Sequence, residues 1–461
     1  MSSALAASAR RIVPLAWPVF VGQIAVLAFS TVDTLLVSRH SPADLAAFAV
    51  GAAAYVTTFV GGMGIVVAVG PIVGQLFGAG RLHDAGRQLH QAVWIALAIA
   101  VLGSTLLAFP YPYLALANAG PELASKVRGY LLALACSLPA SLLFTAFRGF
   151  NNAVSRPKAV MALQLGGLAL KVPLSAALVF GVPAIGLPSL GVTGCGIATC
   201  IAVWAQVIAA WHLLRRDPFY NRFAITGRGL DAPDRPALWA QLRLGLPMGA
   251  SILIEVSGFA FMAIFIARLG TTAVAGHQIA ANLVALLFMV PLAIGNGTST
   301  LVAQRIGARD LADALRLGWH GLALGVGTAA LAGATLYALR GPVVGLYTRD
   351  AAVAAAALPL VAFCVASHIA DATQAVAAFV LRAWRIATVP LVINAAALWG
   401  VGLGGGLVLG FDIGGGVPMA LHGAVGFWVA STAGLVLAAL ALVAFLWWVQ
   451  RVRRAAAAAP A

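Results

Sequence analysis

Three carboxylates lie within long apolar stretches of the sequence, at Asp33, Glu255 and Asp371. An ionised carboxylate inside a hydrocarbon layer costs roughly 2.5 to 3.5 kcal/mol on insertion scales, so each residue implies either a functional role or a hydrogen-bonding partner on a neighbouring helix. Glu255 follows Pro247 by eight residues, about 12 Å along a helix, which predicts a position near the middle of a membrane. Transport sites favour that depth.

Glu255 and Asp371 are the residues that we expect to bind a coupling ion and a substrate. Asp371 lies about two-thirds of the way along its own apolar stretch, in the same half of the chain as Glu255, so the two carboxylates can share one cavity. Two desolvated carboxylates repel each other, and such a pair can take up a proton or a sodium ion and release it again. Carboxylate oxygens serve either ion, and only sodium coupling would make the pair a metal site.

Lys171 is expected to be the one buried base, in the same half of the chain as Asp33. An isolated ammonium inside a membrane is costly, which predicts an ion pair or a water-bridged contact between Lys171 and Asp33. The alternative is that the long side chain reaches the membrane surface, but the position of Lys171 near the middle of its stretch argues against this. Asp33 and Lys171 thus form a candidate polar site in the N-terminal half.

Four further polar residues are candidates for lining a cavity. His368 precedes Asp371 by three residues and so shares a helix face with it, which suits a proton partner or a residue that orients the carboxylate. A lone histidine is more often structural. His277, Gln278 and Asn282 lie close together on one predicted helix and would either line the cavity or form hydrogen bonds between helices.

The amino-acid composition indicates an integral membrane protein. The chain has 461 residues, of which 62% are hydrophobic and 9% charged, so a water-facing surface cannot be covered and a soluble protein is excluded. Apolar runs of the roughly 20 residues needed to cross a bilayer recur throughout, and lipid requires them to be helical. The sequence predicts an all-α polytopic membrane protein with twelve spans, over 12–38, 48–76, 90–110, 128–150, 159–181, 192–214, 242–267, 276–303, 316–339, 352–381, 388–410 and 423–449.

The positive charge predicts the orientation in the membrane. The formal net charge is +15, and most of the 28 basic residues lie before the first span, in the loops after the even-numbered spans, and in the C-terminal tail. By the positive-inside rule this places both termini in the cytoplasm, and we expect a bacterial inner-membrane protein. No aromatic and basic recognition stretch accompanies the charge, so a nucleic-acid partner is not expected.

An internal repeat relates the two halves of the chain. A fixed shift of 229 residues aligns Pro18 with Pro247, Arg39 with Arg268, Gln75 with Gln304, Gly78 with Gly307 and Asp84 with Asp313. Each half then holds six helices, which gives a parallel repeat with a central cleft between two lobes that can alternate in access. We predict an N-terminal lobe over 1–214, a cytoplasmic linker over 215–241, a C-terminal lobe over 242–450 and a cytoplasmic tail over 451–461, which is expected to be disordered after Arg454.

Motifs of enzymes and of ATP-driven pumps are missing from the sequence. It has no G-x-x-x-x-G-K-[ST] loop, no H-E-x-x-H pair, no zinc-ligand spacing and no G-x-S-x-G elbow. The protein is therefore not expected to be an enzyme or to need a cofactor, and the energy for transport should come from an ion gradient.

Four stretches resemble the multidrug and toxic compound extrusion (MATE) family, NorM-type branch. They are FRGFNNAVSRPK, GVTGCGIAT, the long run from GLPMGASILIEVSG to AGHQIAANL, and VAQRIGARD. The resemblance implies two six-helix lobes forming a V-shaped cleft, and export of bulky, lipophilic cationic compounds in exchange for Na⁺ or H⁺. It also implies that Glu255 and Asp371 match acidic residues of the C-terminal lobe and Asp33 that of the N-terminal lobe. We expect a monomer.

One departure from the family favours the C-terminal site. Family members often have asparagines near the N-lobe aspartate, whereas this chain has Lys171 and Ser175. An ammonium there would repel a bound cation, which favours Glu255 and Asp371 as the coupling site.

Two other functions fit the sequence less well. A lipid-linked glycan flippase would need several buried cations for a pyrophosphate. A membrane-embedded enzyme with two catalytic aspartates fits poorly with the six-helix repeat.

Overall fold

Twelve long helices make up the fold. The computed structural model describes residues 3–116, 120–227 and 229–458, and within them the predicted all-α polytopic architecture is confirmed. The helices are α1 Ser3–His40, α2 Pro42–Gly78, α3 Leu82–Ala108, α4 Pro121–Ala153, α5 Pro157–Phe180, α6 Gly191–Arg216, α7 Arg235–Ala267, α8 Thr271–Gly307, α9 Leu311–Ala338, α10 Ala351–Ala383, α11 Thr388–Gly410 and α12 Ala424–Ala458.

Two of these helices are irregular. In α2 the regular helix ends at Val66 and resumes at Val69. Pro71 has no N–H to donate to the carbonyl of Val67, which leaves that carbonyl to accept from Gly70 in a tighter turn at 3.0 Å. In α11 the residues Ala395–Gly404 form a wider π-helix, a local form that often occurs at functional sites.

The repeat is visible in the backbone. A short helix follows α3 at Tyr111–Leu116, and another follows α9 at Arg340–Tyr347, again 229 residues later. The turn after α2 has Gly80 at φ 72°, and the turn after α8 has Arg309 at φ 61°. Arginine adopts this left-handed conformation at a cost that glycine avoids. The two turns therefore share one backbone geometry although the residue differs.

The chain forms two compact units. The C-terminal unit comprises residues 1–20 and 250–461, and the N-terminal unit comprises residues 21–249. These boundaries fall inside α1 and α7, and not at the ends of the predicted lobes.

The packing of the first turns of α1 and α7 explains the difference. In the C-terminal unit the hydroxyl of Ser8 lies 2.7 Å from His320. In the N-terminal unit Gly245 and Gly249 pack closely against Ile65. The division into six-helix lobes stays a prediction of the sequence repeat.

The predicted linker is docked on the N-terminal unit along α3. Asp231 accepts from the indole N–H of Trp94 through its main-chain oxygen at 2.9 Å, and its carboxylate lies 2.9 Å from Nδ1 of His90. The amide of Gln91 donates to the carbonyl of Ala232 at 3.1 Å. Residue 228 of the linker lies outside the described residues. The linker is therefore an ordered part of this unit.

An aromatic turn at Pro218–Phe223 packs the start of the linker against α4. The hydroxyl of Tyr220 donates to Oδ1 of Asn151 at 2.6 Å. Burial raises the pKa of Tyr220 to about 12, so the hydroxyl keeps its proton and remains a donor at physiological pH.

The expectation of disorder after Arg454 is wrong as far as Ala458. Helix α12 continues without interruption to Ala458, because alanine is the best helix former and the tail is a run of alanines. Residues 459–461 lie outside the described residues.

A cluster of three arginines surrounds Asp313 at the start of α9. The guanidinium groups of Arg11, Arg305 and Arg316 lie 2.8, 3.0 and 2.6 Å from its carboxylate oxygens. The Asp313 side chain is 8% exposed, so these charge-assisted hydrogen bonds are partly shielded from water. The cluster ties α1 to α8 and α9.

We predict that Asp313→Asn lowers the free energy of unfolding by about 1.5 to 3 kcal/mol, since it removes the shared charged acceptor. Asp84→Asn is the matched control, because Asp84 is the repeat equivalent and its pair with Arg81 is largely exposed, with side chains 37% and 65% accessible. Thermal unfolding of the purified variants measures both. Equal losses in the two variants would contradict the role of the cluster.

Candidate functional site

The predicted contact between Lys171 and Asp33 is confirmed. The Nζ of Lys171 on α5 donates to Oδ2 of Asp33 on α1 at 2.5 Å. The residues are 1% and 4% exposed, so the ion pair is fully inside the N-terminal unit. Lys171 therefore does not reach the membrane surface.

Neighbouring groups complete the surroundings of this ion pair. The ammonium of Lys171 also donates to Oγ1 of Thr199 on α6 at 2.7 Å, and it lies 4.7 Å from the ring centroid of Phe29. Ser175 donates weakly to the second oxygen of Asp33 at 3.4 Å. Both charges are thus compensated within the protein, and a mobile cation would have to displace the ammonium to reach Asp33.

Glu255 on α7 and Asp371 on α10 have different surroundings in the C-terminal unit. Asp371 is 5% exposed and Glu255 is half-buried. The negative charge of Glu255 acts on Asp371. Across the described residues, neither carboxylate has a basic group within 4.0 Å. The predicted pair is thus electrostatically linked, and its charge is not cancelled by a direct partner.

A small cavity adjoins Glu255. Its volume is about 20 Å³, and Ser431 of α12 and Gly402 of the α11 π-helix contribute to its walls. About 10 to 15 Å³ of such volume holds one water molecule, so the cavity matches a single water or a small ion in size. The groups around it are a carboxylate, a hydroxyl and apolar carbons.

The irregular part of α11 holds α7 beside this cavity. The indole N–H of Trp399 donates to the carbonyl of Ile254 at 3.1 Å, next to Glu255 in the chain. One turn earlier, the amide of Asn394 donates to the hydroxyl of Ser251 at 3.1 Å. These two bonds, one from Trp399 in the π-helix and one from Asn394 just before it, hold the part of α7 that carries Glu255.

Polar atoms without partners accompany Asp371 on α10. His368 and Gln374 precede and follow it by three residues, which places all three on neighbouring positions of the helix surface. Both ring nitrogens of His368 and the amide oxygen of Gln374 are buried and make no hydrogen bond. Unsatisfied buried polar groups are costly, so this part of α10 is suited to a polar or charged ligand.

Arg382 is a residue of this region that the sequence analysis missed. It lies within the last turn of α10, where a loop was expected, and its charge acts on Glu255. Arg382 is half-buried, and Lys171 is the only lysine or arginine that is fully buried among the described residues, as the sequence predicts. The sequence does contain a signal for Arg382. It lies eleven residues after Asp371, which is about three helical turns and places both residues on the same face of α10.

The three candidates on α8 have different environments. His277 is 1% exposed, and its Nδ1 accepts from the indole N–H of Trp428 at 3.2 Å, so it packs in the core. Gln278 and Asn282 are exposed and one turn apart on the same face. Exposed amides within a membrane span are costly against lipid, so that face is suited to a water-filled space.

Twelve apolar spans and buried carboxylates in two compact units define a polytopic membrane transporter. The family model described as MatE matches residues 18–177 and 247–408. The chain therefore belongs to the MATE family of transporters, and it is not an enzyme. Its likeness to the NorM-type branch, expected from four stretches of sequence, is confirmed by its relatives.

Two related proteins and one solved structure illustrate the similarity. The probable multidrug resistance protein NorM of Aromatoleum aromaticum is 41% identical over 95% of this chain and 93% of its own. That of Chromobacterium violaceum is 34% identical over 95% and 94%. The crystal structure of the Vibrio cholerae MATE transporter VcmN in the bent form covers 98% of both chains with a TM-score of 0.85 and 18% identity, which shows the shared fold.

We predict that Asp33 and Lys171 depend on each other for stability. Asp33→Asn leaves a buried ammonium without its counter-charge, and Lys171→Met leaves a buried carboxylate, so each should cost about 3 to 5 kcal/mol. The double variant removes both charges and should recover most of that loss. Thermal unfolding of the four proteins forms a double-mutant cycle, and purely additive losses would contradict the pairing.

Proposed function

We propose that this chain is a secondary active exporter of lipophilic cations, driven by exchange for Na⁺ or H⁺ at Glu255 and Asp371. The observation that carries the proposal is the contrast between the two units. Asp33 is already neutralised by Lys171 at 2.5 Å, whereas Glu255 and Asp371 have no basic group within 4.0 Å among the described residues, and Glu255 lines a cavity of about 20 Å³. Uncompensated carboxylates gain most from binding a proton or a cation.

The substrate class follows from charge and from the named relatives. Several related proteins are called multidrug resistance proteins. Two carboxylates within an apolar unit favour ligands that combine positive charge with apolar surface. The cation of such a ligand would bind to the carboxylates, and its hydrocarbon would pack against apolar side chains. The relatives give no support to a lipid-linked glycan flippase.

Coupling arises from competition for the same carboxylates. A cationic substrate and the coupling ion both favour the ionised pair, so binding of one weakens binding of the other. Net transport also requires that the inward-open and outward-open states bind the two ligands with different affinity. We propose alternating access between the two six-helix lobes, in a monomer in the bacterial inner membrane with both termini in the cytoplasm and no cofactor.

His368 and Arg382 are the groups that would adjust this pair. His368 shares a region of α10 with Asp371 and has both ring nitrogens available for a bond to a proton or a water. Arg382 lies on the same helix as Asp371, and its positive charge attracts the carboxylate of Glu255.

The test is efflux of a fluorescent lipophilic cation from proteoliposomes under an imposed sodium gradient, and separately under an imposed pH gradient. We predict that one gradient drives efflux in the wild type, and that Glu255→Gln and Asp371→Asn each reduce the driven rate at least about tenfold, since a neutral amide cannot exchange cations. Glu122→Gln is the control, because Glu122 is an exposed carboxylate at the start of α4.

Two results would contradict the proposal. The first is gradient-driven efflux at the wild-type rate in both carboxylate variants. The second is wild-type efflux that is the same with and without either gradient, because that would remove ion exchange from the mechanism.

A further inference from the structure

A second, larger cavity lies in the N-terminal unit, and none of its lining residues belongs to either carboxylate site. Its volume is about 400 Å³, and its walls come from α3, α4, α6 and the linker. They are almost entirely apolar, with Leu89, Phe144 and Phe147 among the helical residues and Ile225 and Leu230 on the linker. Ligand pockets typically begin at about 300 Å³ and combine such walls with a few polar groups.

The surface of α6 beside this cavity carries an exposed apolar stripe. Ile201, Trp204, Ile208 and Trp211 are all exposed, and they are spaced three or four residues apart, which places them in one stripe along the helix. An exposed apolar stripe on a membrane-spanning helix is suited to contact with lipid. Arg215 continues the same stripe by four residues and lines the cavity at the end of the helix.

Arg215 therefore lies at the depth of the lipid headgroups. Its guanidinium stacks on the ring of Trp211, 4.5 Å from the centroid, and tryptophan itself prefers the boundary between hydrocarbon and headgroups. Arg215 is exposed, and in the part of the chain that the structure describes no carboxylate lies within 4.0 Å of it. The cavity thus combines an apolar interior with one uncompensated cation at the membrane surface.

We propose that this cavity binds an anionic phospholipid, with one acyl chain in the apolar interior and the headgroup phosphate on Arg215. The acyl chain matches the apolar walls, and the phosphate supplies the negative charge that Arg215 lacks. Basic pockets between transmembrane helices on the cytoplasmic side are suited to anionic lipid headgroups, and the positive-inside rule predicts that this end of α6 is cytoplasmic.

A lipid in this cavity would contact the linker as well as the helices. Ile225, Thr226 and Leu230 form the linker wall of the cavity, and His90 of α3 lines it as well while its Nε2 lies 3.0 Å from the carbonyl of Ile225. A bound acyl chain would pack against both the helices and the linker, so it would strengthen the docking of the linker on the N-terminal unit.

The test uses native mass spectrometry of the full-length protein, purified in detergent and titrated with phosphatidylglycerol or phosphatidylcholine. We expect one tightly retained phosphatidylglycerol, with a preference of about fivefold over phosphatidylcholine, which corresponds to about 1 kcal/mol for one arginine near an anionic headgroup. Arg215→Gln should abolish the preference. Arg216→Gln is the matched control, because Arg216 ends the same helix and does not line the cavity.

Filling the cavity tests the place of the acyl chain. Thr226→Phe occupies it from the linker and Leu143→Phe from α4, so either variant should lose the retained lipid, whichever headgroup is offered, while unfolding as cooperatively as the wild type. Two substitutions from different elements guard against a failure of one variant to fold.

The proposal is overturned if both filled variants retain the lipid, or if Arg216→Gln reduces the preference as much as Arg215→Gln. It is also overturned if tetraphenylphosphonium displaces the retained lipid from the wild type but does not bind to Thr226→Phe, because the cavity would then hold a lipophilic cation. None of these variants touches Glu255 or Asp371, so the outcome is independent of the proposal on ion exchange.

Discussion

The cost of an uncompensated charge in an apolar environment is the constraint on which this structure depends. In the N-terminal unit the constraint is met internally, because the ammonium of Lys171 lies 2.5 Å from Asp33 and 2.7 Å from Thr199. In the C-terminal unit it is left open, because Glu255 and Asp371 have no basic group within 4.0 Å among the described residues. An open pair of this kind is the place where a cation or a proton gains most by binding.

The two halves have kept their packing and changed their polar residues. The turns at Gly80 and Arg309 retain one backbone geometry at a separation of 229 residues, although the second residue is ill suited to it. The position equivalent to Asp33 is Met262, which is buried in an apolar core cluster. A duplicated fold can thus hold one neutral and one reactive carboxylate site, since the helix packing is set by apolar contacts and the charges are added to it.

Hydropathy alone predicts the twelve spans, because a helix that crosses a bilayer must be long and apolar. The contact between Lys171 and Asp33 can also be predicted, because an isolated buried charge is costly without an opposite charge beside it. The sequence does not reveal the π-helix of α11, which depends on hydrogen-bond register within an apolar run. Nor does it reveal that Thr199 completes the surroundings of Lys171, because contacts between helices depend on their rotation. Arg382 was missed because the end of α10 was placed too early.

The central claim is that coupling ion and substrate compete for Glu255 and Asp371. The most direct measurement is binding of tetraphenylphosphonium to the purified protein in detergent, without any gradient, while release of bound radioactive sodium and of protons into weakly buffered solution is recorded. The account predicts that the lipophilic cation releases one of these ions, and that Glu255→Gln abolishes the release. Binding of the lipophilic cation without release of either ion, in the wild type, would contradict it.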